Sequence, residues 1–269
     1  MFTMAGKTGK RYTFETVPVE QPPAFGPDTG LQVVDIQGTF LPLPENSGAQ
    51  AELPVAGGLD VISNQEAVIL TANARDAFVM ASQDAHDPDN NPTVASSYNG
   101  VPGMTWVTGD MVQTWIDEGR DFLKPTVQFS PETLRDWADS LAAGGYIVWP
   151  PHSNPFNKLF HILPRIYRAL MANPRVQFLR KGQQPSKKFP GHCPECYSMM
   201  QLSTGEKLWT GAMLRANGVK ITFVIGDCGD FCAGETAIDA ADEGFVVWFV
   251  VDAQVSVKAP NFAGTDMTS

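Results

Sequence analysis

Three features are scarce in this chain of 269 residues: cysteine, positive charge and long apolar runs. With 19 Lys and Arg against 29 Asp and Glu, the net charge is −10, which disfavours nucleic acid or an anionic membrane surface as a partner. No apolar run approaches the ~18 residues that a membrane-spanning helix needs. The first residues lack the apolar core of a signal peptide, so we expect a cytoplasmic protein whose four cysteines form no structural disulfides. A small molecule is therefore the expected partner, and whether the chain forms a homo-oligomer stays open.

A strand, a helix and a second strand are predicted between residues 219 and 251. Residues 219–225 are a short apolar run rich in β-branched and aromatic side chains, which is typical of a buried strand. A turn follows, and from Cys232 onwards apolar residues recur at helical spacing. A thiol at the start of a helix is stabilised as a thiolate by unpaired N–H groups and the helix dipole. From this stretch alone, Cys232 is either a reactive group at the carboxyl end of a strand or a small buried hydrophobe.

The rest of the chain extends this pattern to a layered α/β domain. Helices are predicted at residues 59–75, 110–122, 130–141, 160–172, 206–216 and from 232 onwards, and strands at residues 31–36, 77–82, 176–180, 219–225 and 245–251. Their alternation indicates a three-layer α/β/α sandwich with a mostly parallel central sheet. We expect one domain over residues 31–257 with a long irregular insertion at 90–145, preceded by an N-terminal extension (1–30) and followed by a tail (258–269).

The first four predicted strands each lead into a residue with useful chemistry. Asp35 ends the first strand as a turn cap or a catalytic carboxylate, because an unpaired carboxylate is costly there. Asp84 and His86 follow the second strand two residues apart, so both can face one ion, although a surface turn explains them as well. Lys181 ends the third strand and Cys232 follows the fourth. This agreement favours a shared site at one edge of the sheet.

A rigid turn and four cysteines add two further hypotheses. His152 ends the segment Trp-Pro-Pro-His, where two prolines preset the backbone, and is a candidate third metal ligand. The four cysteines, Cys193, Cys196, Cys228 and Cys232, have a spacing that is also compatible with a zinc ribbon or a redox pair. However, Cys228 and Cys232 flank the end of a buried strand and the start of a helix, which fits the two knuckles of a ribbon poorly.

Seven segments, in chain order, resemble motifs of the nicotinamidases in the isochorismatase-like cysteine hydrolase superfamily. They run from about residue 31 to residue 253. The most specific is LRANGVKITFVIGDCGDFCAGETAIDA at 214–240, which is similar to the family's long signature around its cysteine. The other six are VVDIQGTF (33–40), PVAGGLDVI (54–62), ASQDAHDP (81–88), WPPH (149–152), RKG (180–182) and ECYS (195–198).

This resemblance implies an amidohydrolase that converts nicotinamide to nicotinic acid and ammonia through a cysteine thioester, a reaction of NAD salvage. It implies one divalent metal ion, commonly zinc, with iron or manganese as alternatives. In relatives that hydrolyse isochorismate the ligand set is absent, so its presence here favours an amidase. The implied residues are a catalytic triad of Asp35, Lys181 and Cys232, metal ligands Asp84, His86 and His152, backbone N–H groups of Cys228 and Cys232 as an oxyanion hole, and pocket walls Phe40 and Trp149.

The chain departs from the family pattern at several positions. Ala85 and Ser153 replace a Trp and a Cys of the family. Asp227-Cys228 stands where the family has an aliphatic residue and an alanine joined by a cis peptide bond. Two alternatives therefore stay open: a hydrolase of a different small amide on the same scaffold, and a non-catalytic zinc-binding or interaction module that uses the four cysteines.

Overall fold

A computed structural model describes residues 2–5, 11–14, 23–41, 51–86, 94–101, 105–124, 148–181, 198–201 and 207–257. Within these ranges the strands are β1 (Phe2–Ala5), β2 (Arg11–Phe14), β3 (Thr29–Val34), β4 (Phe78–Asp84), β5 (Gln177–Lys181), β6 (Ser198–Gln201), β7 (Lys207–Trp209), β8 (Ile221–Gly226) and β9 (Val246–Gln254). The α-helices in the same ranges are α1 (Gly58–Ala74), α2 (Gly109–Asp117), α3 (Pro164–Met171), α4 (Thr210–Ala216) and α5 (Cys232–Asp242), and two short 3-10 helices cover Ala95–Ser97 and Lys158–Phe160.

The main sheet has seven strands in the order β7-β6-β5-β4-β3-β8-β9. Strands β5, β4, β3, β8 and β9 are parallel, while β6 and β7 extend one edge in antiparallel orientation. The central strand β3 is buried along its whole length, as expected for a parallel strand covered on both faces. Because the five parallel strands run in the same direction, their carboxyl ends meet at one edge of the sheet.

Helices cover both faces of this sheet. Val79 of β4 lies in the buried cluster that includes residues of α1 and α3. Phe78 and Met80, which point to the opposite face of the same strand, lie in a cluster with α4 and the end of α5. The predicted three-layer α/β/α sandwich is therefore confirmed. None of the helices in the described part of the chain has the length and hydropathy needed to cross a membrane.

The predicted elements differ from the structure mainly at their ends. The five parallel strands are confirmed, with ends shifted by one to three residues. The helix predicted at 206–216 is wrong over its first residues, because 207–209 form β7 and the helix begins at Thr210. The helix predicted at 160–172 begins only at Pro164, since proline suits the first helical position. The helix at 130–141 and the tail at 258–269 lie outside the described residues, so the domain boundaries stay predictions.

The described part of the predicted insertion has a small core of its own. Tyr98, Trp115 and Phe122 pack together with Val148, which lies just after the insertion. Isolated β-bridges join Val94 to Trp149 and Val107 to Val148. The insertion therefore packs directly against the chain segment that leads to His152.

Candidate active site

Three parallel strands and one helix bring acidic, basic and thiol side chains to one edge of the sheet. Asp84 of β4 is registered opposite Lys181 of β5. Asp35 directly follows β3, the strand between β4 and β8. Cys232 is the first residue of α5, the helix that follows β8. All four side chains are buried, so the structure brings together the four residues that the sequence places at strand ends.

Lys181 is the charged centre of this edge. Its Nζ lies 2.7 Å from Oδ2 of Asp35 and 3.6 Å from Oδ1 of Asp84. Asp35 also accepts a hydrogen bond of 2.7 Å from Oγ of Ser82. Burial raises the pKa of Asp35 to about 8, although the charge of Lys181 opposes this increase. The carboxyl group can therefore take up and release a proton near neutral pH.

Unusual backbone conformations concentrate around the same edge. Asp35, Ser153 and Cys228 have φ angles of 53°, 54° and 62°. Within the described ranges, only Asp76 is a further non-glycine residue with positive φ. Left-handed conformations are uncommon for such residues and cluster at functional sites, where the surrounding structure holds them in place. The backbone at this edge therefore adopts conformations that cost local conformational energy.

Asp84, His86 and His152 form a group of candidate metal ligands. Oδ2 of Asp84 lies 2.8 Å from Nε2 of His86 and 3.2 Å from Nε2 of His152. The three ligand atoms lie within 4.8 Å of one another, and all three residues are buried. Burial alone would raise the pKa of Asp84, but the charges of His86 and Lys181 and hydrogen bonds from both imidazoles hold it well below its usual range. This carboxyl group is therefore ionised and can hold a cation.

The donor set and its support fit a divalent metal ion. One carboxylate and two imidazoles are typical of catalytic zinc and non-haem iron sites. Nδ1 of His152 lies 2.7 Å from the carbonyl oxygen of Pro150, so an N–H at Nδ1 would donate to this carbonyl and leave Nε2 as the atom that binds a metal ion. The side chain of Gln37 accepts from the backbone N–H of Asp84 at 2.7 Å and donates to its carbonyl at 3.1 Å. These contacts orient two of the three ligands, as expected for a metal site.

Aromatic rings stand beside the ligand group. The rings of Phe40 and Trp149, the predicted pocket walls, each lie 5.6 Å from the ring of His152. Trp149 also contacts Phe231 at 4.5 Å and Trp106 at 5.1 Å, measured between ring centroids. Sequence reasoning missed both of these rings. The position of Phe231 directly before the candidate nucleophile could have indicated it, whereas nothing in the sequence points to Trp106.

The turn between β8 and α5 holds the candidate nucleophile. The carbonyl oxygen of Cys228 accepts hydrogen bonds from the N–H groups of Phe231 at 2.8 Å and Ala233 at 3.2 Å, so the turn folds onto the start of α5. The thiols of Cys228 and Cys232 are in hydrogen-bonding contact. Their N–H groups, the predicted oxyanion hole, both belong to this turn. The described residues contain no cis peptide bond, so the Asp227–Cys228 peptide, which the sequence left open, is trans and departs from the family pattern.

Close packing of β8 against β3 brings this turn next to Asp35. A Cβ atom on Gly226 would overlap the carbonyl oxygen of Val34, and the φ angle of 141° at Gly226 is one that other residues rarely adopt. The same carbonyl accepts a hydrogen bond of 2.9 Å from the N–H of Asp227. Glycine is therefore required at the point where β8 passes into the turn.

Asp227 is a buried acid that sequence reasoning missed. Its side chain is 0% exposed, and its Oδ1 accepts a long hydrogen bond of 3.3 Å from Nε2 of Gln65. Its Oδ2 has no hydrogen-bond partner among the described residues. Burial, with further contributions from the charges of Asp35 and Cys232, raises the pKa of Asp227 well above its usual value. The carboxyl group is therefore neutral at neutral pH. The presence of an acidic residue where the family pattern has an aliphatic one is the sequence signal that could have indicated Asp227.

Comparison with known proteins identifies the fold. No protein-family model matches the chain, and no curated protein matches it by sequence. Solved structures do match: a nicotinamidase/pyrazinamidase of Acinetobacter baumannii (TM-score 0.55, 21% identity, 87% of each chain covered) and a yeast nicotinamidase (0.57, 16%, 86% of this chain and 90% of that one). A third is a pyrazinamidase of Pyrococcus horikoshii in complex with zinc (0.50, 21%, 87% and 89%). These likenesses confirm the fold that the sequence resemblance implies.

Proposed function

We propose that this chain, which shares its fold with the nicotinamidases above, is an amidohydrolase that cleaves the carboxamide of a nitrogen-containing aromatic ring, with nicotinamide as the first substrate to test. The observation that carries the proposal is the position of Lys181, whose Nζ lies 2.7 Å from Asp35 and 3.6 Å from Asp84. A thiol–acid–lysine set and a metal-ligand group therefore share one buried edge. Such a combination suits amides, because an amide carbon is a poor electrophile and needs a strong nucleophile, a base and oxyanion donors together.

In this proposal, Asp35 and Lys181 prepare the thiol of Cys232. Asp35 takes the thiol proton, and the positive charge of Lys181 compensates the carboxylate before that transfer. A pKa of about 8 for Asp35 suits a group that must accept a proton from a thiol and later give it to a leaving amine. The thiolate that forms lies at the start of α5, where the helix dipole stabilises negative charge.

The thiolate then attacks the carbonyl carbon of the amide. A tetrahedral oxyanion forms, and the N–H groups of Cys228 and Cys232 are its proposed hydrogen-bond donors. When the C–N bond breaks, Asp35 gives its proton to the nitrogen, ammonia leaves, and a thioester on Cys232 remains. Asp35 next removes a proton from water, whose attack on the thioester releases the carboxylic acid and restores the thiol. With nicotinamide the product is nicotinic acid, as in NAD salvage.

Asp84, His86 and His152 would hold a metal ion beside this reaction. A Lewis acid held there would bind a ring nitrogen of the substrate and so orient the carboxamide. Phe40 and Trp149 would cover the faces of the ring and exclude water. Zinc is the first metal to test because one structure with this fold is described as a zinc complex, with iron and manganese next.

A second candidate is a hydrolase of a different small amide on the same scaffold. It is favoured by Trp106, a residue of the insertion at 90–145 whose ring packs 5.1 Å from that of the proposed pocket wall Trp149. The zinc-module hypothesis gains no support from the described residues, where the metal-ligand group contains no cysteine. Cys193 and Cys196 lie outside the described ranges. The cytoplasmic location and self-association stay predictions.

The test is ammonia release from nicotinamide by the full chain loaded with zinc. We expect release by the wild type, a decrease of at least about 10⁴-fold for Cys232→Ala, and loss on chelation that zinc restores. The double variant Cys193→Ser/Cys196→Ser should keep both metal and activity. No release from folded, metal-loaded protein would reject nicotinamide, and release from another amide in the same assay would establish the second candidate.

A further inference from the structure

Two thiols lie in contact at the site, but the proposed hydrolysis uses the side chain of only one. Cys228 and Cys232 are hydrogen-bonded through their sulfur atoms, and both are buried and outside any disulfide. The turn between them is tight, because the carbonyl of Cys228 is bonded to the N–H groups of Phe231 and Ala233. The side chain at position 228 is also a departure of this chain, since the family signature has alanine there. The proposed hydrolysis therefore leaves the thiol of Cys228 without an assigned chemical role.

We propose that Cys228 and Cys232 are an oxidisable dithiol, which a small peroxide converts into a reversible disulfide that switches the active site off. In the first step the thiolate of Cys232 attacks a peroxide oxygen. The O–O bond breaks, the sulfur is oxidised to a sulfenic acid, and the hydroxide released takes a proton to become water. In the second step Cys228 gives up its proton and attacks the sulfur of Cys232. The S–S bond forms, the S–O bond breaks, and the leaving hydroxide takes that proton as a second water.

The surroundings of the pair favour this order of events. Cys232 begins α5, where N–H groups and the helix dipole stabilise a thiolate, the form that reacts with peroxide. The hydrogen bond to Cys232, together with burial, raises the pKa of Cys228 well above its usual value, so Cys228 stays a thiol beside that thiolate. Once Cys232 has become a neutral sulfenic acid, the negative charge that held this proton is gone. Cys228 then ionises more readily and attacks.

The burial of the pair decides which thiol resolves the sulfenic acid. Cys232 is 9% exposed and Cys228 is 2% exposed, so the pocket admits a molecule as small as peroxide more readily than a bulky free thiol. Cys228 is already in contact with the oxidised sulfur. The disulfide therefore forms in preference to a mixed disulfide or to further oxidation, which would destroy the nucleophile irreversibly.

The test treats the full, zinc-loaded chain with hydrogen peroxide, alkylates the remaining thiols and analyses tryptic peptides by mass spectrometry. The peptide 221–258 contains Cys228 and Cys232 but neither Cys193 nor Cys196, so a disulfide within it is assigned directly. We expect a peptide that has lost two hydrogen atoms, takes up no alkylating agent and regains two alkylatable thiols after dithiothreitol. This result does not depend on amide hydrolysis, so a failed nicotinamide assay leaves it standing.

The matched variant is Cys228→Ala, which removes the second sulfur and keeps the backbone N–H. In this variant we expect Cys232 to gain two or three oxygen atoms that dithiothreitol does not remove. The double variant Cys193→Ser/Cys196→Ser should still form the disulfide. If the wild-type peptide gains oxygen at Cys232 while Cys228 stays alkylatable, or if neither sulfur reacts, the proposal is wrong. The wild-type peptide alone decides the matter should Cys228→Ala fail to fold.

Discussion

The two sides of the active-site edge treat charge in opposite ways. On the ligand side, formed by the end of β4 and residues 148–153, two imidazoles and an ammonium group hold the pKa of Asp84 well below its usual range despite burial. On the thiol side, formed by the turn between β8 and α5, burial raises the pKa of Asp227, and contact with the neighbouring thiol raises that of Cys228. The ligand side therefore keeps a permanent negative charge, whereas these groups on the thiol side stay neutral.

This difference matches the proposed chemistry. A bound cation needs a fixed anion, which Asp84 supplies. The thiol side must receive a thiolate and then an oxyanion, and each ionised carboxylate nearby would oppose them. Lys181 lies between the two sides and contacts one carboxylate from the ligand side and Asp35 next to the thiol side. The fold therefore balances charge on each side separately, and the two sides share one cation, Lys181.

The largest expected effect on stability comes from a substitution in the backbone turn of the thiol side. Gly226→Ala should lower the free energy of unfolding by about 3 kcal/mol, because the new Cβ overlaps the carbonyl of Val34 and the backbone is strained as well. The matched control is Gly218→Ala, where φ is also positive but no atom lies within 4 Å of the new Cβ. It should cost only about 1 kcal/mol. Urea unfolding measures both, and equal losses would show that close packing of β3 and β8 does not matter.

The next effect isolates the ligand side. His152→Ala should weaken zinc affinity by at least about 10- to 100-fold, which is the cost of removing even an outer partner of a metal ligand. His161→Ala is the matched control, since His161 is exposed and lies outside the ligand group. Metal content after dialysis against a graded zinc buffer gives the affinity. Unchanged zinc binding in His152→Ala, or equal loss in both variants, would contradict the assigned ligand set.

The smallest effect tests the neutrality of the thiol side. The pKa of Asp227 is raised above its unfolded value near 4, so the folded state holds a proton that the unfolded state has lost, and stability falls as pH rises towards the folded pKa. Asp227→Asn cannot ionise and should lack this decrease. Between pH 5 and pH 6 we expect its free energy of unfolding to gain about 1 kcal/mol relative to the wild type.

The control for this prediction is Asp252→Asn, a change at an exposed residue of β9. Urea unfolding at a series of pH values should give this variant the same pH dependence as the wild type. If Asp227→Asn also followed the wild type, Asp227 would be ionised in the folded protein and the contrast between the two sides would fail.

The central strands of the sheet could be predicted because they are buried on both faces. β8 is apolar apart from Thr222, β4 begins with four apolar residues, and β3 has one polar residue between Leu31 and Val34, so the apolar signal is strong in a single sequence. β6 and β7 could not be predicted, because they are four and three residues long and contain polar side chains such as Lys207. Their pairing depends on distant segments, so residues 206–216 read as one amphipathic helix instead.

The predicted site residues lie together because each follows a parallel strand or a rigid turn, and such positions converge by topology alone. The burial of Asp227, in contrast, does not follow from topology. An acidic residue in a Gly-Asp-Cys-Gly turn is ordinarily solvated, and only contacts made in the folded state, such as that with Gln65 of α1, bury it. Trp106 reaches Trp149 because Val107 and Val148 pair across the insertion, which no local pattern reveals.

The separate core of the insertion has a consequence for how this fold can change over time. Tyr98, Trp115 and Phe122 support Val148, the neighbour of the pocket wall Trp149, without taking part in the main core. Substitutions there can reshape the pocket while the strands that carry Asp35 and Lys181 keep their packing. Under the proposed function, substrate preference and catalytic chemistry are therefore separable traits, and the first can drift under selection while the second is retained.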